Sequence, residues 1–195
     1  MKFNDDITQR IVLNSSTLPW VDSRLSCMKC KLLEQRADEA ARITSIERHE
    51  ANTQLVTQIY PLGQEILVLE GEYEDEEGIY GVGTYIKNPP KSSRTIGSKS
   101  GCTLFVKNNY LTLDDNQRTI LDTRSANWFQ GLVTGLTVLP LAEFSTKHTA
   151  LVRWAPETKF NPHRHYGGEE ILVRKEFSRM SSASILLEPG CAALT

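Results

Sequence analysis

The chain has 195 residues, a formal net charge of −2 and a hydrophobic content of 39%. That content supports a packed core rather than disorder, and the near-neutral charge gives no basis for binding nucleic acid or an anionic membrane. No apolar run approaches the ~20 residues of a membrane helix. The polar, acidic start, residues 1–6, resembles neither a signal nor a transit peptide, so we expect a cytoplasmic protein.

Residues 1–22 are predicted to form an N-terminal arm, after which short β-strands begin. Cys27 and Cys30 have the C-x-x-C spacing of zinc or redox sites. No second pair and no nearby His completes a zinc site, and the surrounding residues look like a strand, whereas a redox pair normally opens a helix. We therefore interpret both as structural thiols. Residues 33–41, which follow them, are interpreted as a loop insertion.

Residues 44–68 and 149–173 are two copies of one β-unit. A single offset of 105 aligns them without a gap, and eight of the 25 aligned positions are identical. Short runs rich in Ile, Val, Leu, Thr and Tyr lie between Gly and Pro turn signals, which predicts many short strands. The pattern predicts a tandem all-β protein of sandwiches or barrels, with a first domain over 23–107, a polar linker over 108–130 and a second domain over 131–195.

Several polar residues of these copies have ordinary structural interpretations. The acidic run Glu74–Glu77 predicts a solvated hairpin tip rather than a cation site. His49 and His148 are single imidazoles without matching partners, which predicts surface or strand-packing positions.

The second copy contains a candidate metal site in His163, His165 and Glu169. Strand residues two apart point the same way, so both imidazoles face one side. Glu169 shares their parity and lies just past a Gly-Gly turn. Two imidazoles and a carboxylate suit Fe(II), Mn(II) or Zn(II).

The first copy has Gln58, Tyr60 and Gln64 at the three aligned positions. This combination is a poor ligand set for a first-row metal. The first pocket is therefore either a structural remnant or a site that binds an organic group by hydrogen bonds.

These motifs resemble the ChrR-type cupins, which are related to the metal-binding domain of an anti-sigma factor and to small cupin dioxygenases. The resembling segments are His163–Val173, Gly63–Gly71, Gly83–Arg94 and Gly101–Lys107. The resemblance implies tandem double-stranded β-helix (jelly-roll) barrels, each with an interior pocket. It also implies a metal site of His-x-His, Glu and one later His, whose position in the first copy is taken by Arg94.

The tail after Val173 departs from the first copy, so we expect the second barrel to be incomplete, by truncation or frameshift. Shifted by one base, with codons chosen to favour the match, the tail can be read as a continuation similar to Leu69–Lys87. The nucleotide sequence of the gene tests this hypothesis. An incomplete barrel is expected to hold its Zn, Fe or Mn only weakly.

The leading functional interpretation is a metal-binding cupin that senses a small molecule or stress and acts in regulation without turnover. The alternative is an Fe(II) dioxygenase that uses open metal positions for O₂ and a small organic substrate, and a purely structural module is a third. Residues 1–22 are too short for the N-terminal zinc domain with which ChrR grips its sigma factor, so sigma-factor binding is doubtful. A homodimer is left open.

Overall fold

The computed structural model describes residues 3–6, 9–23, 27–36, 41–159 and 168–174, and the backbone of 183–188 and 193–194. Within these ranges the chain forms strands and turns, and it includes no helix long and apolar enough to cross a membrane. The chain divides into two compact units, one of residues 1–5 and 18–124 and one of residues 6–17 and 125–195.

The strands, in chain order, are β1 (Ile11–Asn14), β2 (Val21–Asp22), β3 (Met28–Gln35), β4 (Ile43–His49), β5 (Thr53–Tyr60), β6 (Gln64–Asp75), β7 (Gly78–Gly81), β8 (Thr84–Asn88), β9 (Ser92–Ser98), β10 (Cys102–Asn108), β11 (Thr119–Asp122), β12 (Phe129–Gln130), β13 (Leu136–Phe144), β14 (Lys147–Trp154), β15 (Glu169–Arg174), β16 (Ala183–Glu188) and β17 (Ala193–Leu194).

The long strand β6 organises the first unit. Its first half pairs with β10 and β8 in a sheet of order β11-β8-β6-β10-β4-β3-β2, and its second half pairs with β7 and β9. The change of partners follows Gly71, which has a φ of 70° and where a Cβ would lie 2.0 Å from the carbonyl oxygen of Gly101. Only glycine fits so close an approach, and it lets β6 continue from one group of strands into the other.

The strands that pair with the first half of β6 and those that pair with its second half share one hydrophobic core. We call the side of these strands that faces the core the inner face of the first unit. The core side chains are at most 9% exposed and come from β6, β7, β8, β9 and β10: Ile66, Val68, Tyr73, Tyr80, Ile86, Ile96, Cys102, Leu104 and Val106. Residues of one parity on a strand point to one face. The β4–β10 register therefore puts Ser45, Glu47 and His49 on the inner face, opposite Val106, Leu104 and Cys102.

The opposite face of the same sheet buries aromatic and charged side chains. Tyr85 is fully buried, and its hydroxyl donates a 2.6 Å hydrogen bond to Glu65. Lys87 forms a buried ion pair with Asp115, with 2.6 Å between Nζ and Oδ1. Asp115 and β11 lie in the range predicted to be a linker, and β11 pairs with β8. These residues are part of the first compact unit, whereas the predicted domain boundaries stay a prediction.

The described strands of the second unit form two sheets. One has the order β12-β13-β14, and the other has the order β1-β16-β15-β17. In the second sheet β1 pairs antiparallel with β16, and β17 pairs parallel with β15. Part of the predicted N-terminal arm is therefore a strand of this unit.

The two copies share backbone features at the offset of 105. β6 begins at Gln64 and β15 at Glu169. The glycine before each strand has positive φ, 70° at Gly63 and 100° at Gly168. A second pair of turns also matches, because Asn52 has a φ of 59° and Glu157, 105 residues later, has a φ of 63°.

The β3–β4 and β13–β14 hairpins carry a register shift at equivalent points. In the first, the shift lies opposite Thr44 and Ser45. In the second, it lies opposite Thr149 and Ala150, which are the same two positions plus 105. Such bulges bend a hairpin locally, so the two copies share a local strand geometry as well as a sequence pattern.

Candidate functional site

Three strands of the first unit carry the four positions that correspond to the expected metal ligands. Gln58 and Tyr60 lie on β5, Gln64 begins β6, and Arg94 lies on β9. In the β5–β9 register Gln58 is directly opposite Arg94. Ile59, between Gln58 and Tyr60, is 70% exposed, whereas Tyr60 is buried. The alternation therefore directs Gln58 and Tyr60 to the inner face, as their spacing predicts.

Gln64 is held in a network of neutral amides. Its Nε2 donates to Asn108 Oδ1 at 2.9 Å, and Asn88 Nδ2 donates to its Oε1 at 3.4 Å. All three side chains are polar groups at the ends of neighbouring strands β6, β8 and β10. Gln64 aligns with the carboxylate of the expected metal site. In its place it carries an uncharged amide that is already hydrogen-bonded.

Arg94 is engaged by two carboxylates from the β6–β7 turn. Its Nη1 donates to Glu76 Oε1 at 2.8 Å and to Glu77 Oε1 at 2.7 Å. Partial burial would raise the pKa of Glu76, but the hydrogen bonds from Arg94 and the Thr95 amide outweigh it and lower that pKa. A guanidinium cannot lose its proton to become a metal ligand. The position that corresponds to the later His of the expected metal site therefore carries a permanent positive charge, which the two carboxylates neutralise.

The same turn has the predicted solvated tip at Glu76 and Glu77, which are exposed, but not at Asp75. β6 and β7 do form a hairpin there, but Asp75 is buried and accepts hydrogen bonds from Tyr80 at 3.0 Å and from Arg118 at 2.5 Å. Arg118 also pairs with Glu77. The acidic run is therefore anchored to two arginines, because carboxylates that lose water need paired charges.

Burial dominates the chemistry of Tyr60. Its pKa is raised well above the usual value, first by burial and then by the negative charge of Glu47. Gln64 is near enough to oppose that shift, yet the two side chains do not meet the geometry of a hydrogen bond. The phenol is therefore neutral at physiological pH and would act as a donor or acceptor, not as a phenolate ligand.

His49 lies on the inner face, where the sequence interpretation allowed either a surface or a strand-packing position. It is 2% exposed, its ring meets that of Tyr73 edge-on at 6.4 Å, and its Nε2 lies 3.9 Å from Glu47 Oε2. Of the two predicted positions, the surface position is wrong and the strand-packing position is confirmed, because the histidine packs inside the first unit. The alternation of β4 groups Glu47 with His49, but only the pairing with β10 shows that their face is the inner one.

The cysteines that the structure describes are free thiols. Cys30 lies on β3, and burial followed by the charge of Glu47 raises the pKa of its thiol. Burial likewise raises the pKa of Cys102 to about 11. Because metals bind the thiolate, these cysteines are poorly suited to ligation at neutral pH.

The first unit therefore does not fit the metal that the cupin resemblance implies. Its four corresponding positions offer neutral amides, a neutral phenol and a guanidinium. Across the part of the chain that the structure describes, no group of three His, Cys, Asp or Glu side chains is arranged to hold a metal ion.

The second copy has a donor set that does fit, although only one member lies in a described range. Glu169 is the first residue of β15 and is half-buried, directly after Gly168. His163 and His165 lie outside the described residues. Two imidazoles and a carboxylate match the ligand chemistry of Zn(II), Fe(II) and Mn(II).

The comparisons with known proteins agree with these features. The family profile of the ChrR cupin-like domain matches residues 8–112 and again residues 116–176. No curated protein matches the chain.

Two solved structures are similar over nearly the whole chain. A candidate dioxygenase from Nostoc punctiforme has a TM-score of 0.69 at 11% identity, over 94% of this chain and 80% of that one. A candidate glyoxylate-induced protein from Pseudomonas aeruginosa has a TM-score of 0.62 at 13% identity, over 93% of this chain and 81% of that one. At such identities the similarity establishes the fold alone, which is the all-β cupin fold.

Proposed function

The chain belongs to the ChrR cupin-like family, and we propose that it is a metal-binding cupin whose site lies in the second copy, on His163, His165 and Glu169. In this proposal the protein is a bicupin, and its first barrel has lost the metal ligands. The metal-bearing copy senses a small molecule in a regulatory role. The proposed compartment is the cytoplasm, without nucleic acid or membrane as a partner.

The observation that carries the proposal is the position of Gln64. Gln64 begins β6 directly after a glycine of positive φ, and it is 5% exposed. Its side chain forms hydrogen bonds with the last residues of β8 and β10. Glu169 begins β15 after a glycine of positive φ, 105 residues later. A second copy with the same plan would direct the Glu169 carboxylate, and with it His163 and His165, into its own interior.

This donor set defines what the residues would do. His163 and His165 would bind through neutral imidazole nitrogens and Glu169 through a carboxylate oxygen. A divalent metal held in this way supplies a Lewis acid with open positions for a small ligand. The Arg94 guanidinium of the first copy has no such role.

The alternative function is an Fe(II)-dependent dioxygenase acting on a small organic substrate. A site of two His and one carboxylate with open positions supports it, and the similar Nostoc punctiforme protein is described as a candidate dioxygenase. Oxygen uptake by the Fe(II)-loaded protein over a substrate panel separates the two functions, because a sensor binds without consuming O₂.

Metal content tests the site itself. The full-length protein is dialysed to equilibrium against a series of Zn(II), Fe(II) or Mn(II) concentrations, and the bound metal is measured by inductively coupled plasma mass spectrometry. We expect metal in the wild-type protein and a loss of at least ~10-fold in affinity in His163→Ala and His165→Ala, since even outer hydrogen-bond partners of such ligands are worth 10–100-fold.

The matched control is His148→Ala, which removes an imidazole that is 62% exposed on β14. This variant is expected to bind metal like the wild type. Wild-type binding by His163→Ala would refute the assignment.

A further inference from the structure

The inner face of the first unit holds buried polar atoms without hydrogen-bond partners. Among them are both ring nitrogens of His49 and the hydroxyl oxygens of Tyr60 and Tyr73. All three residues are more than nine-tenths buried. Buried polar groups in native proteins nearly always have a partner, so each exception requires an explanation.

These groups lie in one place. The rings of His49 and Tyr73 are 6.4 Å apart. Tyr60 contributes to the raised pKa of Tyr73, after burial, which shows that the two phenols lie within electrostatic reach. The three side chains come from β4, β5 and β6, and together they form a cluster that we call the inner polar cluster.

Charge around the inner polar cluster determines what it could bind. Near the cluster lie more negative than positive charges. There are four carboxylates, those of Glu47, Asp75, Glu76 and Glu77, and two guanidiniums, those of Arg94 and Arg118. Each guanidinium is paired with carboxylates of the β6–β7 turn, although the Nε atom of each is buried without a hydrogen-bond partner. The excess of negative charge disfavours an anion, because like charges repel strongly where water is scarce.

The unpartnered atoms themselves favour hydroxyl groups. A tyrosine hydroxyl both donates and accepts, and a neutral imidazole does one at each nitrogen. A molecule that carries several hydroxyls can satisfy such a mixed set, since each hydroxyl also donates and accepts.

We propose that the inner polar cluster of the first unit binds one small uncharged polyol, whose hydroxyl groups bond to His49, Tyr60 and Tyr73. In this role the first barrel is a metal-free ligand site, not a remnant. The site does not depend on the metal proposed for the second copy.

Calorimetry on the full-length protein tests the proposal, with erythritol, glycerol and glucose as probes and acetate as the anionic counterpart. At least one of the polyols is expected to show saturable 1:1 binding, and acetate is expected to show none. Tyr73→Phe and His49→Phe are each expected to weaken polyol binding at least ~10-fold, since a hydrogen bond in a buried site contributes on the order of that factor.

The matched control is Tyr85→Phe, which removes a buried hydroxyl on the opposite face of the same sheet, where it has Glu65 as a partner. It is expected to keep polyol binding. His163→Ala is also expected to keep it, which separates this proposal from the metal site.

Thermal unfolding of the ligand-free protein gives a second readout. Removing a hydroxyl that is buried without a partner relieves an unmet desolvation cost, so Tyr73→Phe is expected to raise the Tm by about 2–4 °C. Tyr85→Phe is expected to lower it. A lower Tm in Tyr73→Phe would mean that its hydroxyl serves a structural bond, such as one to a buried water, and would overturn the proposal, as would the absence of polyol binding or equal binding of acetate.

Discussion

Cys102 carries a buried thiol whose titration should be visible in the stability of the protein. It is 4% exposed, and burial, with a smaller effect from Glu47, raises its pKa from 9.0 to about 11. Between these two pH values the unfolded chain loses the proton while the folded chain keeps it. Stability therefore falls as pH rises through this window.

The predicted size of this fall is about 2–3 kcal/mol, since one pKa unit corresponds to about 1.4 kcal/mol. Urea unfolding at pH 8, 9, 10 and 11 measures it. Cys102→Ala should be less stable than the wild type at pH 8, and the difference should narrow by that amount at pH 11. Parallel curves for the two proteins would show that the thiol does not titrate as its burial requires.

Single residues also show what the sequence could predict. The spacing of Gln58 and Tyr60 was enough to put them on one face, because a period of two is a local property of a strand. The burial of His49 depends on which strand lies beside β4, which is a long-range property. A lone histidine in the sequence gives no signal of that kind, so its place in the inner polar cluster required the structure.

At the scale of elements, a buried ion pair ties residue 115 to β8. Lys87 and Asp115 are 4% and 5% exposed, with 2.6 Å between their charged atoms. Asp115→Ala would leave the ammonium buried without its partner, which is expected to lower the free energy of unfolding by about 3–5 kcal/mol. Urea unfolding at neutral pH measures the change.

The control for that pair is Arg124→Ala, which removes the solvent-exposed partner of Asp122 and keeps the hydrogen bond that Asp122 accepts from the backbone amide of residue 124. Exposed pairs contribute little to stability, so no measurable change is expected. Equal effects of the two substitutions would contradict the importance given to burial here.

Strands and turns followed from local patterns, whereas their partners did not. The acidic run Glu74–Glu77 predicted the β6–β7 turn correctly. The pairing of that turn with Arg94 and Arg118 joins residues 17 to 43 positions apart, and no local pattern encodes such a distance. Residues 33–35, interpreted as part of a loop, end β3 instead, because the bulge opposite Thr44 lets the strand continue.

At the scale of the whole molecule, the internal repeat was the most informative feature of the sequence. The all-β cupin fold is confirmed by the ChrR cupin-like profile and by the similar solved structures. The second segment of that profile ends at residue 176, close to Val173, where the tail departs from the first copy. The origin of this departure, by truncation or frameshift, stays a prediction that the nucleotide sequence of the gene would test.

The pairing of β1 with β16 could not be predicted, since it joins residues 170 to 176 positions apart. Neither segment contains a sequence motif from which its partner strand could be identified. Long-range pairings of this kind depend on the whole fold rather than on either stretch of sequence.

The division of roles between the copies is the central claim, and X-ray absorption of the protein loaded with one equivalent of Zn(II) tests it most directly. The account predicts nitrogen and oxygen neighbours at about 2.0–2.2 Å, with the scattering pattern of imidazole. That pattern should disappear in the double variant His163→Ala, His165→Ala. Sulfur neighbours at about 2.3 Å would instead assign the metal to cysteines such as Cys27 and Cys30, and would contradict the account.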